Sequence, residues 1–96
     1  MSTPVVISEI RKGAMWIRLN RPEAMNSLTP EVLLGIDQAL NEAQERADVI
    51  TVVLTGTGRA FCAGADLKYV KTQAGESGTH GFLDSVLATM NRITRF

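Results

Sequence analysis

Small residues gather at one place in this chain where chemistry would use them. Arg59-Ala60-Phe61-Cys62 leads into Ala63-Gly64-Ala65, and Asp66-Leu67 follows. Three consecutive residues with almost no side chain let a ligand reach the backbone itself. Asp66 reads as the start of a short helical turn, whose first amides have no partner inside the helix. Such amides bind anions, and the oxyanion of a carbonyl under attack is one kind of anion. In enzymes, each such donor is worth about 2.7–4 kcal/mol of transition-state stabilisation. The competing reading is structural, since small residues after a buried strand also permit tight backbone packing. The residues alone leave both open.

Other candidates carry less. Gly56-Thr57-Gly58 invites a dinucleotide-binding reading, but the position that should hold the third small residue is Phe61, and no Gly-Lys-Ser/Thr follows for a phosphate loop. It reads as a turn leaving a buried strand. Cys62 is the single cysteine, with no base beside it, and reads as a small buried thiol. His80 is the only histidine and has no ligand-bearing neighbours, so no metal site is expected. Glu76 falls in a Gly-rich loop and Asp84 in the first turn of a helix, where solvated acids are ordinary.

The elements that must position these residues follow from patterning. Val5 to Ile10 is rich in β-branched residues, and Met15, Ile17 and Leu19 share one face of a second strand. Arg11-Lys12-Gly13 between them predicts a hairpin, with Gly13 free to take a positive φ. Trp16 points to the other side of its strand and reads as packed, not stacked on a base. Thr29-Pro30-Glu31 is a helix start, with cap, proline and first-turn acid in order. Val32, Leu33, Ile36, Leu40 and Ala43 give that helix one apolar stripe. Gly35, which costs about 1 kcal/mol against Ala in a helix interior, suggests a close packing contact. Val49 to Thr55 has the nearly continuous apolar character of a strand covered on both faces, parallel to an earlier one after a helical crossover. Ala74 to Gly81 holds three glycines and predicts a mobile loop. A last helix from about Phe82 puts Phe82, Val86, Met90 and Ile93 on one face with Leu83 and Leu87 beside them, and it runs to Phe96 without a cap.

Composition narrows the function. Ninety-six residues make one domain or part of one, burying roughly 60–68% of the unfolded chain's surface. Ten basic and ten acidic side chains cancel, which removes the case for a nucleic-acid or acidic-membrane partner. No run approaches the roughly 20 apolar residues of a membrane span, and Met1-Ser2-Thr3-Pro4 lacks a secretory leader's features, so a cytoplasmic location is expected.

Two segments then resemble one known family. Leu19-Asn20-Arg21-Pro22-Glu23-Ala24-Met25-Asn26-Ser27-Leu28 is similar to the Asn-Arg-Pro-x-x-x-Asn-x-Leu segment of the enoyl-CoA hydratase/isomerase (crotonase) family. Gly56 to Leu67 resembles that family's Gly-x-x-x-Phe-x-x-Gly-x-Asp-Leu motif. The resemblance implies an α/β chain, the ββαβ opening portion of the crotonase-like (ClpP/crotonase) spiral with a further C-terminal helix. Residues 1–96 would be the N-terminal part of such a domain, apparently truncated. It implies acyl-CoA thioester chemistry of the hydratase/isomerase type, as in fatty acid metabolism, with coenzyme A as part of the substrate and no separate cofactor. The Ala65 N–H would be an oxyanion-hole donor stabilising the thioester enolate. Ala63, Gly64, Asp66 and Leu67 would line the acyl-CoA pocket, and Ala24 and Met25 would bound its nucleotide end. Glu23 stands where the family usually has a basic residue, with Arg21 a candidate substitute for a phosphate contact, though a solvated loop arginine is the plainer reading. The second oxyanion donor and the catalytic carboxylates belong to later segments of the family, so a CoA-binding or truncated fragment without turnover is the alternative. The full-length form is expected to be a homo-oligomer, a trimer or hexamer.

Overall fold

A β-branched stretch and an alternating apolar one meet first. In the computed structural model, which describes residues 4–71 and 75–96, β1 (Val6–Arg11) and β2 (Ala14–Leu19) pair antiparallel, from Val6 opposite Leu19 to Arg11 opposite Ala14. Lys12 and Gly13 both take positive φ, 47° and 84°, the two-residue turn whose twist matches a hairpin. Alternation along β2 buries Met15, Ile17 and Leu19 and leaves the residues between them half-covered. On the far side, the Arg11 guanidinium lies 5.0 Å from the centre of the Trp16 ring.

Helix α1 (Pro30–Glu45) begins as the sequence predicts. The Thr29 hydroxyl accepts from the Val32 N–H at 3.3 Å, and Pro30 occupies the first helical position. Its stripe of Val32, Leu33, Ile36, Leu40 and Ala43, joined by Ala39, is buried against Met15, Ile17 and Leu19. Gly35 is the close contact expected, because a Cβ there would stand 2.7 Å from Cγ2 of Val6.

The chain then returns as β3 (Thr51–Gly56), parallel to β2 with Ala14 opposite Thr51 and Leu19 opposite Gly56, so the sheet runs β1-β2-β3. Here the structure departs from the expectation of a strand covered on both faces. No residue of β3 is fully buried, since it forms an edge of the sheet. Ile50, placed inside the strand by its pattern, precedes it and is 83% exposed.

A short α2 (Leu67–Tyr69) leads to α3 (Gly75–Arg95). The expected loop over 74–81 is helical from Gly75 onward, and Ala74 lies outside the described residues. Glycines disfavour a helix locally, but α3 is held by its packing on α1. Phe82 is buried and meets the Tyr69 ring edge-on at 5.1 Å, and the buried Thr89 hydroxyl donates to the Asp37 carboxylate at 3.3 Å. Arg92 adds bonds to Asp37 and Asn41, at 3.4 and 2.8 Å. That face leaves Leu83 and Leu87 outward, 44% and 63% exposed, and Asp84 sits mid-helix instead of in a first turn. Among the described residues no helix is long and apolar enough to cross a membrane.

Candidate active-site cleft

Where β3 ends, the chain folds back on itself and glycine becomes obligatory. A Cβ on Gly56 would collide with the carbonyl oxygens of Phe61 and Ala60, and Gly58 has φ of 85° with Pro22 close by. The turn reading of Gly56-Thr57-Gly58 thus has a physical cause. Opposite it, a 3-10 turn (Pro22–Ala24) is followed by Met25 and Asn26, both left-handed, with φ of 55° and 56°. Asn26 is 1% exposed and fully used. Its Oδ1 accepts from the Arg21 N–H at 2.7 Å, and its Nδ2 donates to the carbonyls of Thr57 and Ala60 at 2.9 and 2.7 Å. One side chain therefore clamps two loops and pairs the Arg21 N–H and the carbonyls of Thr57 and Ala60, although the Thr57 hydroxyl beside them is buried without a partner.

Three backbone bonds continue the clamp. Ala63 donates to the Met25 carbonyl at 3.0 Å, Leu28 to the Gly64 carbonyl at 2.7 Å, and Asp66 to the Leu28 carbonyl at 2.9 Å. The last two make Leu28 and Ala65 a single parallel bridge. A trans peptide is planar, so its C=O and N–H point opposite ways. Because the Gly64 carbonyl faces Leu28, the Ala65 N–H of the same peptide faces away from it. Among the described residues that N–H has no acceptor. Gly64 makes the geometry possible, with φ of 102° and open space where a Cβ would stand.

Asp66 completes the corner. Its Oδ2 accepts from the Ser27 hydroxyl at 3.0 Å and from two nitrogens of Arg21 at 3.3 Å, while Oδ1 accepts from the Tyr69 N–H at 3.0 Å and caps α2. These contacts hold the carboxyl below the usual aspartate range, the Tyr69 N–H first, then Ser27 and Arg21, against the opposing effect of burial. Arg21 is thus not a freely solvated loop arginine. It is part-buried and also donates to the Ser27 carbonyl at 2.8 Å.

These segments enclose a cleft of about 380 Å³ bordered by Ala24, Ser27, Ala63, Ala65 and Asp66, with Glu23 and Lys68 bringing opposite charges to it. Of the residues singled out in the sequence, Ala24, Ala63, Ala65 and Asp66 border this cleft. Gly64 shapes it through the backbone. Met25 is 46% exposed and meets the cleft's wall through its carbonyl bond to Ala63. Leu67 opens α2, and its side chain lies outside what the structure describes.

Comparison with known proteins adds the decisive observation. Residues 14–96 match the family profile of enoyl-CoA hydratase/isomerase. The chain belongs to the enoyl-CoA hydratase/isomerase family. It is 39% identical over 62 residues to 1,2-epoxyphenylacetyl-CoA isomerase of Escherichia coli, covering 65% of this chain and 24% of that protein. Among solved structures, PA4980 of Pseudomonas aeruginosa superposes with a TM-score of 0.81 at 32% identity, over 96% of this chain and 40% of that one. A carnitinyl-CoA hydratase from Mycobacterium avium gives 0.69 at 38% identity, over 73% and 27%. Among several curated relatives, the chain spans from 20% to 36% of their length. The ββαβ order with a following helix is therefore the crotonase arrangement.

Within this crotonase-family corner the sequence reading missed Asn26 and Ser27 as the residues that lock the loops. Their signal was present as two polar residues between Met25 and Leu28, and both are buried. Among the described side chains, the carboxylates that border the cleft are Glu23 and Asp66; the exposed Asp84 of α3 does not, and the Glu76 side chain lies outside the described atoms. Cys62 is half-buried, less enclosed than expected, and packs against the core.

Proposed function

We propose that the protein acts on acyl-CoA thioesters as a hydratase or isomerase, with the Ala65 N–H as one donor to the thioester oxygen. The observation that carries the reading is the Ala65 amide, aimed away from its bridge partner and without an acceptor among the described residues, at a cleft lined by the small residues Ala63 and Ala65. A hydrogen-bond donor fixed before the reaction stabilises charge as it develops on the carbonyl oxygen, without reorganising at that moment. Polarising the thioester acidifies the neighbouring carbon or opens the conjugated double bond to addition, the step that hydration and isomerisation share. Coenzyme A arrives with the substrate, bounded at its nucleotide end by the Ala24-Met25 backbone. We place residues 1–96 as the N-terminal part of a crotonase domain that works as a homo-oligomer in the cytoplasm.

Replacing Ala65 by Pro removes the donor, while its ring also fixes φ and adds bulk at the cleft. Turnover of an enoyl-CoA should fall by about 10²–10³-fold while the fold, checked by circular dichroism, persists. Undiminished turnover in the folded variant would sink the assignment. One observation favours a second reading, binding without turnover. Of the cleft's described carboxylates, Asp66 is occupied by four donors, which leaves Glu23 as the one acid there with no bonded partner. Acyl-CoA binding by the 96-residue chain with no conversion in a stopped assay would support that second reading.

A further inference from the structure

Resting on the reading of Ala65 as a donor to a thioester oxygen, we infer that Ser27, Asp66 and Arg21 are positioning residues that fix the direction of the Ala65 amide. The amide's own peptide is held by one backbone bond, from the Leu28 N–H to the Gly64 carbonyl at 2.7 Å. Gly64, on its other side, has a φ of 102° and no side chain to anchor it. The Leu28–Ala65 bridge that orients the peptide is isolated, with no ladder on either side to keep it in register. What flanks it instead is the side-chain cluster. Ser27 precedes Leu28 and Asp66 follows Ala65, and their side chains bond to each other at 3.0 Å beside the bridge. Arg21 ties together the two residues that flank the bridge, donating to the Ser27 carbonyl at 2.8 Å and to Asp66 Oδ2 at 3.3 Å. The second oxygen of Asp66 is committed to the Tyr69 N–H, so the carboxylate cannot follow a displaced loop without giving up the start of α2.

The same bonds argue against Asp66 as a direct ligand contact. Oδ2 already receives the Ser27 hydroxyl and two guanidinium nitrogens and Oδ1 a backbone amide, so both oxygens are engaged within the protein. Asp66 borders the cleft because it supports the wall, and its effect on a bound thioester passes through the peptide next to it. Loosening the cluster should leave the cleft able to bind while the carbonyl bond to Ala65 weakens.

Infrared difference spectroscopy on the intact protein separates these effects. The probe is butyryl-CoA carrying 13C at the thioester carbonyl, a ligand with no double bond to hydrate. In the unaltered protein its carbonyl band should shift to lower frequency and narrow on binding. In Ser27→Ala and Asp66→Asn the dissociation constant should stay within about threefold while the band moves back and broadens, and Ser27→Thr, which keeps the hydroxyl, should restore it. With an enoyl-CoA, the same two variants should lose kcat by about tenfold at unchanged KM. Ser27→Ala removes one hydroxyl and serves if Asp66→Asn fails to fold. A band unchanged in both variants overturns the positioning role and leaves Ala65 as donor. Loss of binding together with the band, in a folded variant, overturns it in favour of direct ligand contact. No shift in the unaltered protein overturns the donor reading itself, and the positioning role with it.

Discussion

Helix α1 meets the sheet through Val32, Leu33, Ile36 and Leu40 on one side and Met15, Ile17 and Leu19 on the other, side chains without a single hydrogen-bonding group. The loops over 20–28 and 56–66 meet through Asn26, Ser27, Arg21 and Asp66 and the backbone bonds between them. Burial in the first region is additive and tolerant. Each methylene contributes about 0.8 kcal/mol, and a gap left by one side chain can be partly filled by another. Hydrogen bonding in the second region is directional, and a missing partner leaves the other groups stranded. The tolerant half carries the fold, while the exacting half carries the Ala65 amide that we propose as donor to a thioester oxygen.

The sharpest way to break this contrast is Asn26→Ala. It strands the Arg21 N–H and the carbonyls of Thr57 and Ala60, three groups that Asn26 alone joins. At about 1–3 kcal/mol for each stranded group, partly relieved by water entering, urea unfolding should show a loss of about 3–5 kcal/mol. A loss under about 1 kcal/mol would mean that the loops are held by something other than this side chain.

The two halves also differ in how far their sequence betrays them. Periods of two in Met15-Trp16-Ile17-Arg18-Leu19 and of three to four in Val32 to Ala43 are the geometry of the burial itself, so strand, helix and core follow directly. The loop half has no period. Residues such as Asn26 and Gly56 show their purpose only when segments some 30 positions apart are brought together, so family resemblance located this corner and periodicity did not. Glycines misled in the other direction. Gly75, Gly78 and Gly81 predict a loop, yet they lie in α3, where Phe82, Thr89 and Arg92 docked on α1 outweigh their weak helix preference.

Gly35→Ala tests the apolar half where it is tightest. Helix preference alone would make alanine better by about 1 kcal/mol. The new methyl, however, would stand 2.7 and 2.8 Å from two carbons of Val6, and overpacking of this kind costs about 1–3 kcal/mol. A net loss of about 1 kcal/mol is expected, and Val6→Ala in the same chain should relieve it only in part, because the Val6 Cβ, at 2.8 Å, would remain. A stabilised single variant would show that β1 shifts freely off α1. Ile36→Val, which removes one methylene at a fully buried site, should cost about 0.5–1.5 kcal/mol and leave acyl-CoA binding untouched.

The smallest effect distinguishes the loop half by pH. Asp66 is held below its ordinary value of 3.8 by the Tyr69 N–H first, then by Ser27 and Arg21. A carboxyl with a lowered folded pKa binds fewer protons folded than unfolded, so its stabilisation is complete above the unfolded value. It is then lost as pH falls through 3.8 toward the lower folded pKa. Glu9, lowered by Arg11, and Asp48, lowered by Arg46, contribute in the same window, but both pairs are exposed and fade in salt. The Asp66 side chain is 13% exposed and its contacts should survive screening better. Comparing the unaltered protein with Asp66→Asn in high salt should therefore leave a pH-dependent difference in unfolding midpoint that disappears below the folded pKa. Identical pH profiles for the two would mean that Asp66 is as loosely held as the surface pairs, and the contrast between the halves would lose its charged member.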